Sequence, residues 1–188
     1  MSDAIHLSQL SSSAVETPIG ILNFYPTHAG GEINNILLKQ GAIKPYLPTG
    51  MAVIECIAVL LEFSVTKTVA AFDFCGDWES LQEKGYGNNG EWLDAWEWPT
   101  GAHLVMVGTE DRERLNSRIS LMPCEPSNYP ITMQDNKMRI RLHNLPAGNY
   151  SLHYIVAWND YPETHESSCW YAVDVPHEKV KEHFNQRA

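Results

Sequence analysis

Basic residues are scarce in this chain: 13 Lys and Arg stand against 23 Asp and Glu, for a formal net charge of −10. A surface of that sign repels phosphate backbones and anionic membranes, so neither nucleic acid nor a membrane is the expected partner. Cysteines are few and scattered (Cys56, Cys75, Cys124, Cys169), with no C-x-x-C pair. That pattern argues against a disulfide framework or a zinc ribbon. The longest apolar stretch, "MAVIECIAVLLEFSV", is interrupted by Glu55 and Glu62 and is too short to span a bilayer. The opening "MSDAIHLSQLSSS" lacks the basic start and apolar run of a secretory signal, so a reducing cytoplasm with reduced thiols is the expected setting. Nucleophile elbow, P-loop, H-E-x-x-H and dinucleotide fingerprint are all missing. The expectation is therefore no enzyme, no cofactor and no metal.

What is present belongs to an ordinary folded domain: 188 residues, 44% hydrophobic and 19% charged. One domain is the default for that length, and it is long enough to bury a core without staples. Residues 1–16 read as a loose polar terminus and 17–188 as a single β-rich domain. "IGILNFY" (19–25) reads as a strand. "THAGGEINNILLKQG" reads as a short helix between Gly31 and Gly41, with Ile33, Ile36, Leu37 and Gln40 at helical spacing. Val53, Glu55, Ile57, Val59, Leu61 and Phe63 alternate along 52–64, which favours a long, mostly buried strand.

"DWESLQEKG" carries the marks of a two-turn helix: Asp77 as N-cap, Glu79 in the first turn, Lys84 in the last and Gly85 to stop it. "YGNNG" reads as an open loop, and "EWLDAWEW" and "HLVMVG" as strands. In "KMRIRLH", Met138, Ile140 and Leu142 alternate with basic residues, the pattern of a half-buried strand. "NLPAGN" is a turn, and "YSLHYIVAW" is expected back as the partner strand of a hairpin. "CWYAVDV" reads as a further strand and "HEKVKEHF" as a closing helix. Strands outnumber helices, so the expected fold is a mainly β, antiparallel sandwich or partly open barrel with two or three short helices.

Between Asp73 and Glu97 stand seven acids (Asp73, Asp77, Glu79, Glu83, Glu91, Asp94, Glu97) and one base, Lys84, so this segment alone carries −6. It points to a basic partner. Within "EWLDAWEW" a strand puts Trp92, Asp94, Trp96 and Trp98 on one face and Glu91, Leu93, Ala95 and Glu97 on the other. The Trp face then packs on the core with Glu91 and Glu97 in water, or one or more rings stand exposed as binding anchors among acids. On this reading Asp77, Glu79, Glu83, Glu91, Asp94 and Glu97 supply charge to a partner-binding face, and Tyr86 and Trp92 supply its anchors.

The order of elements from about 50 to 175 resembles the competence protein J family, small bacterial inhibitors of a DNA-entry nuclease, and related nuclease-immunity proteins. The resemblance is carried by "IECIAVLLEFS", then "FDFCGDWESLQEKGY" with its Asp-Trp start and Glu-Lys-Gly-Tyr end. It continues through "GEWLDAWEW", "HLVMV" and "NLPAGNYSLHYIVAW" with its Leu-Pro-x-Gly-x-Tyr turn. The first fifty residues have no counterpart, and Trp92, Trp96 and Trp98 depart from the family pattern. The resemblance implies an inhibitor that docks on a nuclease and blocks its cationic cleft. A carbohydrate- or small-ligand-binding β-sandwich is the alternative, since Trp beside Asp and Asn also suits sugars.

Two further patterns favour bland readings. "HESSC" sets His165 and Cys169 at a spacing that could hold zinc, but reads better as a polar loop. His143 and His153 flank one turn and are expected to face each other across a hairpin as a surface pair.

Overall fold

The computed structural model describes residues 11–90, 92–119, 129–162 and 167–186. The chain forms β1 (Ser13–Thr17), β2 (Gly20–Ala29), β3 (Glu32–Ala42), β4 (Glu55–Lys67), β5 (Val69–Asp77), β6 (Tyr86–Gly90), β7 (Leu93–Pro99) and β8 (His103–Glu110). Then follow α1 (Arg112–Ile119), β9 (Ile131–Gln134), β10 (Lys137–Leu145), β11 (Gly148–Asp160), α2 (Ser168–Val173) and α3 (His177–Asn185). The strands make two open antiparallel sheets, a five-stranded one in the order β1-β2-β5-β10-β9 and a six-stranded one in the order β3-β4-β11-β8-β7-β6. The molecule is a β-sandwich with a few short helices, as the strand-rich pattern predicts. No helix among the described residues is long and apolar enough to cross a membrane.

Alternation along β11 explains the layering. Leu152, Tyr154, Val156 and Trp158 point into the core between the sheets. Ile155 and Ala157 point the other way, into a second core with Cys169, Ala172 and Val173 of α2 and Val180 and Phe184 of α3. The six-stranded sheet is thus buried on both faces, which is why β4 and β11 read as near-continuous apolar runs. Cys56, Cys75 and Cys169 are buried thiols; Cys124 lies outside the described residues.

Several elements differ from the sequence expectation, each for an identifiable reason. Segment 31–41 is strand β3, not a helix. Its pairing with β4 shifts register between Asn34 and Leu37, where Asn35 adopts φ 53°. That bulge puts Ile33, Ile36 and Leu38 against one core, and the three-residue step between the first two mimics a helical period. "CWYAVDV" is the helix α2, with Cys169, Ala172 and Val173 buried at i, i+3 and i+4.

β10 and β11 do not form a hairpin. β10 pairs with β5 and β9, whereas β11 pairs with β4 and β8, so the turn between them crosses from one sheet to the other. His143 and His153 therefore do not face each other. Residues 13–16 are tied into β1, which pairs with β2 from Ser13 to Thr17, and are not a loose terminus.

The predicted helix at 77–85 is absent. Asp77 ends β5, and its Oδ1 accepts the Glu79 amide hydrogen at 3.0 Å, the N-cap bond without a helix behind it. Two turns cannot stand without packing, and the packing here draws Trp78 inward instead. "YGNNG" is β6, an edge strand paired with β7, not an open loop.

One corner joins the sheets closely. Gly31, at φ +69°, leads from β2 into β3 beside the β4–β5 passage, and a methyl on it would meet Thr68 O at 2.4 Å and Lys67 O at 2.6 Å. Both obstacles are backbone and cannot step aside, and an L side chain is strained at this φ. Gly31→Ala is expected to lower unfolding free energy by about 2 kcal/mol in a urea melt. Gly101→Ala, whose methyl meets nothing within 4 Å, is the matched control and should change little.

Candidate functional site

About half of the acidic segment's charge is answered on folding. Register sets β10 beside β5, and Arg141 binds Asp73 through Nε and Nη2 at 2.6 and 2.7 Å, with Arg139 Nε 3.8 Å away. Lys137 Nζ bridges Asp77 at 3.3 Å and Glu79 at 3.1 Å. Burial works to raise the Asp77 pKa, but bonds from the Glu79 amide, the Tyr25 hydroxyl and Lys137 outweigh it and hold the carboxyl below its usual range. Three bases remote in sequence therefore answer three of the seven acids.

Two more acids are buried. Glu97 takes a hydrogen bond from Asn88 Nδ2 at 3.1 Å. Asp94, 1% exposed, accepts from the Tyr129 hydroxyl at 3.0 Å and from the Asn89 side-chain amide. Loss of solvent pushes its pKa up to about 6 despite those bonds. Both carboxylates are taken up by neighbouring side chains, and Glu97 does not face water as the strand pattern implied. Glu91 lies outside the described residues.

The tryptophans divide in the same way. Trp96 and Trp98 enter the core between the sheets and meet Trp78, with ring centroids 5.1–6.2 Å apart. Trp92 sits before β7 with φ 68° and is 49% exposed, and Arg114 lies 6.0 Å above its ring. It shares no face with the other two. Of the eight predicted residues, Glu79, Glu83, Tyr86 and Trp92 are exposed. Tyr86 and Trp92 bracket β6, the last strand of its sheet.

Two features escaped the sequence reading because distant elements build them. One is a groove of about 620 Å³ between Tyr46 and Tyr171, with Lys179, Glu182 and His183 on its wall. Tyr46 is 96% exposed. The other is a buried polar cluster on the helix-covered face of the six-stranded sheet. It contains Glu110 of β8, Arg118 of α1, Ser151 and His153 of β11 and His177 of α3.

Within that cluster His153 Nδ1 lies 2.9 Å from His177 Nδ1, and His177 Nε2 lies 2.8 Å from Ser151 Oγ. Arg118 grips both carboxylate oxygens of Glu110, and its Nη1 donates to the Ser151 carbonyl at 2.8 Å. His153 also hydrogen-bonds the Val175 backbone. Desolvation holds both imidazoles well below their ordinary pKa, so both rings are neutral. "HESSC" lies partly outside the described residues; its Cys169 is buried in the second core.

No family model matches this chain, and neither the curated proteins nor the solved structures yield a match.

Proposed function

We propose that the chain is an acidic, non-enzymatic inhibitor or immunity protein that binds and occludes a basic partner, a nuclease or another toxin. The observation that carries this reading is the edge of the six-stranded sheet, which no other described strand pairs with. β6 pairs with β7, and the terminal aromatics Tyr86 and Trp92 are 53% and 49% exposed. Its sequence, Tyr-Gly-Asn-Asn-Gly, adds little side-chain bulk of its own along that edge, which suits a partner that adds a strand or lays a loop along it. The rings at its ends act as anchors. Glu79 and Glu83 in the preceding connection act as rim charges that speed encounter with a cationic surface.

Partners captured from a native lysate identify the target, and purified components then test the face. Trp92→Ala or Tyr86→Ala should each cost about 2 kcal/mol, roughly 30-fold in affinity. Glu83→Lys should slow association and flatten its salt dependence. Affinity unchanged in all three variants would remove this surface from the proposal.

The groove favours a second reading, a carbohydrate or small-ligand module, because exposed Tyr46 and Tyr171 flank a concave wall bearing charged side chains. A glycan array separates the two: sugar binding abolished by Tyr46→Ala supports the groove.

A further inference from the structure

We propose that His153, His177 and Glu110 form a divalent-cation site of zinc type, which clamps the C-terminal helix α3 onto the six-stranded sheet. One donor atom from each lies within 4.8 Å of the other two, and all three residues are buried. Two histidines and a carboxylate are a common ligand set for zinc, with a fourth position left for solvent.

The orientation of the rings is the stronger argument. The two Nδ1 atoms face each other, 2.9 Å apart. Two nitrogens on one tetrahedral zinc, with bonds of about 2.0–2.1 Å, stand about 3.3 Å apart, so ring tilts of a few tenths of an ångström open the site. Each ring also has a partner for its other nitrogen. With Nδ1 of His153 facing His177, its bond to the Val175 backbone belongs to Nε2–H. His177 Nε2 faces Ser151 Oγ at 2.8 Å. Outer hydrogen bonds of this kind fix ring orientation and tautomer in metal sites. Arg118 plays the same part for Glu110: a carboxylate has about four lone-pair sites, and two remain after the guanidinium has bonded both oxygens.

Without metal, the network closes as a neutral chain. Ser151 donates to His177 Nε2, His177 Nδ1–H donates to His153 Nδ1, and His153 Nε2–H donates to the Val175 carbonyl. Metal binding needs no net proton loss from the rings. The single proton of His177 moves from Nδ1 to Nε2, where Ser151 Oγ accepts it, and both Nδ1 lone pairs become available. Neutral imidazoles at physiological pH suit this role. Ser151, the outer partner of His177, also borders a surface recess of about 240 Å³ shared with Lys181.

The test uses the full chain, stripped with chelator and titrated with Zn²⁺ and Co²⁺. Calorimetry should show one saturable site, and Co²⁺ should give the intense visible bands of a four- or five-coordinate ion. Ser151→Ala should weaken binding by about 10–100-fold, and His153→Ala and His177→Ala by more. His28→Ala and His143→Ala should change nothing. Because a ligand variant can fail to fold, a wild-type crystal soaked in zinc provides the independent readout. An anomalous peak between the two Nδ1 atoms supports the site. No saturable binding, binding that survives loss of either buried histidine, or anomalous peaks confined to surface histidines overturns it.

Discussion

Trp78→Ala is expected to lower the unfolding free energy by about 3–5 kcal/mol, read as a shift of the urea midpoint at constant slope. The ring is fully buried and packs edge-on against Trp98 and tilted against Trp96. It closes one end of the sandwich, where the chain passes from β5 in one sheet to β6 in the other. Its neighbours cannot collapse to fill the gap, because the space around them is already tight. A methyl on Gly85 would meet Trp96 Nε1 at 2.2 Å, Trp98 Nε1 at 2.5 Å and Glu97 O at 2.7 Å. Gly85→Ala should therefore destabilise by overpacking at the same point where Trp78→Ala destabilises by cavity. A loss under about 1 kcal/mol for Trp78→Ala would mean that the ring is not an anchor.

The second large effect is a pH dependence. Asp94 has a native pKa near 6 against an ordinary value of 3.8. Between these values the native state binds more protons than the unfolded state, so stability falls as pH rises from about 4 to 6 and is level above. The shift of about two units corresponds to about 3 kcal/mol. Asp94→Asn removes that loss. Asparagine keeps one acceptor for Tyr129 or Asn89 and leaves the other donor opposite an amide, a cost of about 1 kcal/mol that does not vary with pH. The difference between variant and wild type should therefore move by about 2–3 kcal/mol in the variant's favour between pH 4 and 7.5. Parallel stability profiles would show that Asp94 does not titrate in this way.

The class of fold was legible because the long strands announce themselves locally. β10 carries its period in its own residues, β4 and β11 carry long β-rich apolar runs in theirs, and the closing helix carries its own period too. The errors lie where a distant element decides. The bulge at Asn35 has meaning only against β4, and Trp78 turns inward only because Trp96 and Trp98 wait there. Likewise, the count of −6 between Asp73 and Glu97 was arithmetic along a line. Lys137, Arg139 and Arg141 lie some sixty residues away and cancel half of it once β10 pairs with β5. The His153–His177–Glu110 cluster draws on three elements with no common motif, so no spacing in the sequence could announce it. The exposed part of the predicted face, Tyr86 and Trp92 with Glu79 and Glu83, is the part whose exposure follows from short-range features. Those are glycine, asparagine and a strand too short to bury its ends.

Following the strands in chain order, the path changes sheet between β2 and β3, β4 and β5, β5 and β6, β8 and β9, and β10 and β11. No contiguous stretch of the chain contains one whole sheet without strands of the other. Neither half of the sandwich can be cut out as a fragment that satisfies its own hydrogen bonds, and neither can assemble before the other supplies its strands. Folding must therefore wait on long-range pairings and proceed as a single event, on the slow side for a chain of this size. The same interlacing means that a proteolytic nick in one connection leaves both sheets held by the remaining crossings.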